Sequence, residues 1–168
     1  MQLKTILNRV EKYKSFVYGS ERFVEGEKGR LAIEVDITPR AGSQAVCSGC
    51  HQKRPGYDRL PPRRFEFVPL WQIAVFFVYA LRRVKCPECG VKVEEVPWCR
   101  GKHAHTKTYQ WFLARWAKRL SWQEVADVFH TSWQSVFKAV RRAVVWGLAR
   151  EPWQGIRSLG VDERCPRT

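Results

Sequence analysis

Four cysteines fall into two pairs whose spacing suits a metal ion. Cys47 and Cys50 are separated by two residues, as are Cys86 and Cys89, and 35 residues lie between the pairs. Four thiolates give zinc a closed tetrahedral shell, because each two-residue turn aims both sulfurs at one point. The sequence therefore predicts one structural zinc ion per chain on Cys47, Cys50, Cys86 and Cys89, with no position left for a catalytic water. In Cys86-Pro87-Glu88-Cys89-Gly90 the proline presets the turn and the glycine is free to take a positive φ. In Cys47-Ser48-Gly49-Cys50-His51 a histidine stands in the glycine's place and offers a spare ligand. The bland alternative is four buried thiols spaced by chance, and a redox role lacks the neighbouring βαβ pattern it needs. Cys99, His103 and His105 match no usual ligand spacing and read as loop or core residues, while Cys165 reads as an exposed thiol.

A second group of residues suits contact with a nucleic acid. Trp133, Gln134, Ser135 and Lys138 are expected to face outward near the start of the last helix. Gln134 suits adenine, and Lys138 suits guanine or phosphate. Arg141 and Arg142, further along, suit backbone phosphates, which fix register. The charge balance agrees: 30 lysines and arginines against 16 carboxylates give +14, and the pI is near 9.9. Such a chain meets polyanions, and double-stranded DNA is the expected partner. With 45% apolar and 13% aromatic residues, disorder is excluded. The longest apolar run, Ile73 to Leu81, has nine residues, about half of what crosses a bilayer, so no membrane partner is expected. Met1 to Val10 does not read as a secretory signal, which places the chain in the reducing cytoplasm, at the nucleoid.

The elements that must position these residues read as an α+β chain, a small β zinc ribbon followed by a three-helix helix-turn-helix domain. Residues 1–43 form an N-terminal β segment, with strands around Phe16 and Tyr18 and around Ile33, Val35 and Ile37, divided by Gly19 to Gly29. Residues 44–100 form the ribbon, with strands over Arg63 to Pro69, over Gln72 to Lys85 and around Val91 and Val93. A sheet of that size is marginal alone, so chelation is expected to unfold residues 47–100. Residues 104–150 are helical. Thr106 or Thr108 caps a helix reaching about Leu120; Ser121 and Glu124 form a capping box; Ser132 opens a third helix that Pro152 ends. Ala126 and Val136 supply the small and apolar positions that seat one helix on the other, with His130 in the turn. Of Trp111, Trp116, Trp122, Trp133 and Trp146, helical spacing assigns most to the core and leaves Trp133 outside.

The string Arg82-Arg83-Val84-Lys85-Cys86-Pro87-Glu88-Cys89-Gly90, the Ser121 to Val140 helical pair and Leu159-Gly160-Val161-Asp162-Glu163 follow one another in order. Over residues 44 to 163 this arrangement resembles the N-terminal portion of ISL-three-type insertion-sequence transposases. The resemblance implies a ribbon and helix-turn-helix that recognise the terminal inverted repeats of the element, followed by an RNase H-like domain that cuts and joins strands. Asp162 matches the first acidic residue of that family's DDE triad, which binds one of two metal ions. Residues 156–168 would be the stub of that domain, and the sequence departs from the family where the remaining carboxylates should follow. The expectation is therefore a DNA-binding chain without enzyme activity as it stands, able to pair with a second copy or with an intact transposase. The competing expectation is a zinc-ribbon module for structured RNA or protein, its bases stacked on Phe65, Phe67, Trp71, Phe76, Phe77 and Tyr79.

Overall fold

Trp98 is enclosed by aromatic rings: those of Tyr13, Phe16, Phe65 and Tyr79 lie with centroids 4.9 to 6.0 Å from its own. These rings come from distant parts of the chain, and the fold is arranged to bring them together. The computed structural model describes residues 2–26, 29–101 and 103–150. Helix α1 (Leu3–Val10) leads into a hairpin of β1 (Phe16–Glu25) and β2 (Leu31–Pro39). Three short strands follow, β3 (Ala45–Val46), β4 (Lys53–Arg54) and β5 (Gly56–Arg59). Then come the hairpin β6 (Arg63–Leu70) and β7 (Ile73–Tyr79), and a second hairpin, β8 (Arg82–Cys86) and β9 (Gly90–Val93). The chain ends its described part in α2 (Lys107–Trp116), α3 (Trp122–Val128) and α4 (Trp133–Leu148).

The main sheet has the order β1-β2-β7-β6, with β2 and β7 parallel and the outer pairs antiparallel. Alternation sends Phe65 and Phe67 of β6 and Val75, Phe77 and Tyr79 of β7 to one face, where they meet Ile33, Val35, Ile37 and Trp98. Central β2 is buried from Ala32 through Val35 without alternating, as expected of a strand covered on both faces. On the opposite face Glu34 is buried and receives Arg22 and Arg64, each at 2.5 Å.

Several sequence expectations are corrected here. The first ten residues, read as part of a β segment, contain α1, whose Leu7 enters the core. The strand expected over Gln72 to Lys85 is broken at Ala80 and Leu81, and its halves, β7 and β8, lie in different sheets. The 43/44 boundary runs through the main sheet, which takes two strands from each side of it. β6 and β7 belong to the aromatic core rather than to the cysteine region, so only β3, β4, β5, β8 and β9 depend on the thiol cluster.

The helices start where the caps predict. The Thr106 hydroxyl accepts from the Tyr109 amide at 3.2 Å. The Ser121 amide donates to the Glu124 carboxylate at 2.8 Å while the Glu124 amide donates to the Ser121 hydroxyl at 3.3 Å, a complete capping box. Ser132 caps α4 through the Ser135 amide. Tyr109, Leu113, Val125, Ala126, Val136 and Ala139 form the core of this unit. The tryptophans do not join it: Trp111, Trp116, Trp122, Trp133 and Trp146 are all 37% to 48% exposed. The core is narrow enough to be filled by Tyr109, Leu113 and small residues, and α4 buries only Val136 and Ala139 fully in its 16 residues. The position expected to end α4, Pro152, lies outside the described residues, as do Cys165 and Asp162.

Candidate functional site

β3, β4, β8 and β9 bring the four predicted cysteines to one point. Their sulfurs all lie within 4.8 Å of one another, and Cys50 Sγ is 3.6 Å from Cys86 Sγ. Metal–sulfur bonds of about 2.3 Å in a tetrahedron set sulfurs about 3.8 Å apart, so the cluster has the size of a metal site. The surroundings fit an ion as well. A Cβ on Gly49 would stand 2.8 Å from Cys89 Sγ, so this position needs glycine for the sulfurs to close together. The Gly49 amide donates to Cys47 Sγ at 3.4 Å and the Arg54 guanidinium to Cys50 Sγ at 3.7 Å, both favouring thiolate.

The thiols are driven apart in acidity. Burial, then the neighbouring sulfurs of Cys86 and Cys47, push Cys89 up to about 12. At Cys86 burial also works upward, but the amides of Cys89 and Glu88 and the Cys50 thiol outweigh it and hold the group down at about 6. Four sulfurs this close cannot all ionise without positive charge among them, which is what a cation supplies.

His51 does not serve as a spare ligand. Its ring is exposed and its Nδ1 pairs with Glu95 at 2.7 Å. Its contribution is backbone: φ is 59° at His51 and 72° at Gly90, so the histidine takes the left-handed position that the glycine takes in the second pair. Cys99 is buried, with its Sγ donating to the His103 carbonyl at 2.9 Å, and His105 pairs with Glu66 at 3.1 Å.

The residues expected to contact nucleic acid lie on α4. Val136 is fully buried in the same cluster as Ala126, and the Thr131 amide closes the turn onto the Ala126 carbonyl at 2.9 Å. His130 takes φ 53° in that turn. With Val136 and Ala139 inward, Trp133, Gln134, Lys138 and Arg141 are exposed and Ser135 is half-buried. Arg142 is less free: its guanidinium bonds the side-chain oxygen of Gln110 on α2. One feature had no local sequence signal. Trp71 and Gln72 both have positive φ in the two-residue turn joining β6 to β7, and Trp71 is 81% exposed.

The stacking platform proposed for unpaired bases is not formed, since Phe65, Phe67, Phe77 and Tyr79 are core residues. No helix among the described residues is long and apolar enough to cross a membrane.

No family model matches the sequence. No solved structure matches the fold. Two curated proteins do match: the transposase for insertion sequence element IS1557 from the CDC 1551 / Oshkosh strain of Mycobacterium tuberculosis, and its counterpart from strain H37Rv. Each is 28% identical over 146 residues, 84% of this chain. The chain spans about a third of the length of these relatives, 32% in each case. The likeness therefore reaches the transposases, and the narrower ISL-three-type assignment rests on the sequence motifs alone.

Proposed function

We propose that this chain is the sequence-specific DNA-binding part of a transposase, recognising the terminal inverted repeats of an insertion sequence. Residues 104–150 act as a helix-turn-helix, with α3 as the supporting helix and α4 as the reader. The observation that carries this reading is the seating of α4: Val136 and Ala139 are buried against α2 and α3, so Trp133, Gln134 and Lys138 project together at its start. That is the part of a recognition helix that reaches base edges. Gln134 reads adenine, Lys138 reads guanine or a phosphate, Ser135 and Trp133 contact the groove wall, and Arg141 and Arg142 hold phosphates.

Within residues 44–100 the tetrad holds one zinc ion. Four thiolates suit zinc and leave no open coordination position, so the ion's role is to hold the ribbon together. The strand cutting that the family resemblance implies for a following RNase H-like domain is not assigned to the residues described here. The working place of such a protein is the cytoplasm, at the nucleoid.

The experiment is a mobility shift of the purified chain against an inverted-repeat duplex and a scrambled duplex at moderate salt. Tighter binding of the repeat supports the reading; equal affinity for both means that only net charge is acting. Single-stranded RNA outcompeting both duplexes would replace it with the RNA-binding alternative.

A further inference from the structure

A cleft of about 570 Å³ opens between α2 and α4. Arg100, His103 and Lys107 line it from the approach to α2 and its first turn, and Lys138, Arg141 and Arg142 line it from α4. No carboxylate among the described residues lines it. Every ion pair among the described residues lies between residues 22 and 105, and none involves Arg100, Lys107, Lys138 or Arg141. The sheet and the ribbon therefore neutralise many of their cations in ion pairs, whereas these four cations form none among the described residues.

The crowding is registered by the groups themselves. Burial and then the cations Arg142 and Lys138 lower the pKa of His103, and burial and then Arg100 lower that of Lys107. Glu95 pulls against these cations at Lys107 but does not line the cleft, so the charge gathered on its wall is completed by an anion from outside. The aromatic edge of the cleft is already engaged. Arg150 sits 4.1 Å above the Trp146 ring, and Trp111 meets that ring edge-on at 5.1 Å, which favours a backbone over a stacked base as the occupant.

We propose that this cleft seats backbone phosphates of duplex DNA at the edge of the groove that α4 enters, with Arg100 and Lys107 as the phosphate ligands contributed from outside α4. The proposal rests on the helix-turn-helix reading and adds a second contact surface to it. The helix sets the distance: at about 1.5 Å per residue, Arg141 lies about 10 Å along α4 from Gln134, comparable to the about 12 Å width of the major groove. With Gln134 among the bases, Arg141 and the cleft beside it fall where the sugar-phosphate strand runs.

The test is the salt dependence of binding by the full chain to inverted-repeat and scrambled duplexes. Arg100→Gln/Lys107→Gln is compared with Arg115→Gln/Lys118→Gln, which removes the same charge from exposed positions outside the cleft. Should the first double variant fail to fold, Arg100→Gln alone, at an exposed position, replaces it. The cleft variant is expected to lower the slope of log K against log[salt] by about 1.8, at about 0.9 per phosphate contact, or about 0.9 for the single variant. The control pair should keep the wild-type slope, and preference for the repeat should persist in both. An unchanged slope in the cleft variant, or an equal fall in both variants, overturns the proposal while leaving the reader helix in place. A slope difference without preference for the repeat supports the cleft and removes sequence recognition. A wild-type chain that binds neither duplex overturns both.

Discussion

The guanidinium of Arg82 lies 2.7 Å from the buried carboxylate of Glu94. The same carboxylate accepts the Tyr79 hydroxyl at 2.5 Å and the Arg82 amide at 2.7 Å. Tyr79 is the last residue of β7 in the main sheet and Arg82 the first of β8 in the ribbon, so Glu94 fixes the joint between the two sheets. Glu94→Gln leaves a largely buried guanidinium without its counter-charge and is expected to cost about 3 to 5 kcal/mol. The measurement is the urea midpoint at constant m value. A loss below about 1 kcal/mol would show that the joint is held by packing instead.

The thiol cluster predicts a zinc content of one per chain and a local response to its removal. Chelation should release hydrogen exchange in β3, β4, β5, β8 and β9 while β2, β6 and β7 stay protected, because the latter have their own aromatic core. Gly49→Ala drives a methyl onto Cys89 Sγ and should weaken zinc binding by about 10- to 100-fold in a competitive chelator titration. Gly56→Ala, where a Cβ meets nothing within 4 Å, should leave zinc affinity unchanged.

On α4, base readers and phosphate binders should separate in binding assays. Gln134→Ala is expected to lower discrimination between the repeat and a single-base variant by about 1 to 3 kcal/mol, with little change in salt dependence. Arg141→Gln should weaken all duplexes alike and reduce the salt slope by about 1. Interchanged behaviour would place the bases against a different stretch of the helix.

Binding should strengthen on mild acidification through His103. In the free chain burial and then Arg142, Lys138 and His105 lower its pKa, while Arg63 and the Cys99 thiol engage its carbonyl. A phosphate in the cleft offsets those cations and raises the pKa, so the complex takes up a proton. Affinity then rises as pH falls from about 7.5 toward about 5.5. His103→Gln should flatten that rise in a pH series of binding constants; an identical profile in both proteins would show that the imidazole does not sense the bound strand.

What the sequence made legible was local. Thr106, Ser121 with Glu124, and Ser132 announce helix starts because each cap is satisfied within four residues. The two cysteine pairs were legible for the same reason, each pair closing its own short turn. What escaped was set by distant partners. The parallel match of β2 with β7 leaves no trace in either strand, and the break at Ala80 and Leu81 appears only because β8 must turn to pair with β5 and β9. The tryptophans failed differently. Periodicity shows which face of a helix is apolar but not how wide a core it meets, and here Tyr109 and Leu113 fill the space that Trp111 and Trp116 were expected to share. His51 shows a third case, a residue whose side chain suggests a ligand while its backbone does the work.

Because β2 pairs side by side with β7, every residue between Pro39 and Ile73 must be made before that ladder can zip. Cys47 and Cys50 belong to this intervening stretch, whereas Cys86 and Cys89 emerge only after β7 is finished. By the moment the fourth sulfur appears, all strands of the large sheet have been synthesised. A zinc ion on the four sulfurs, as proposed, would be a latch fastened on a sheet whose strands are already made and whose central Trp98 follows nine residues behind Cys89, and a cell starved of zinc would hold a chain with its aromatic heart intact and its ribbon hanging open.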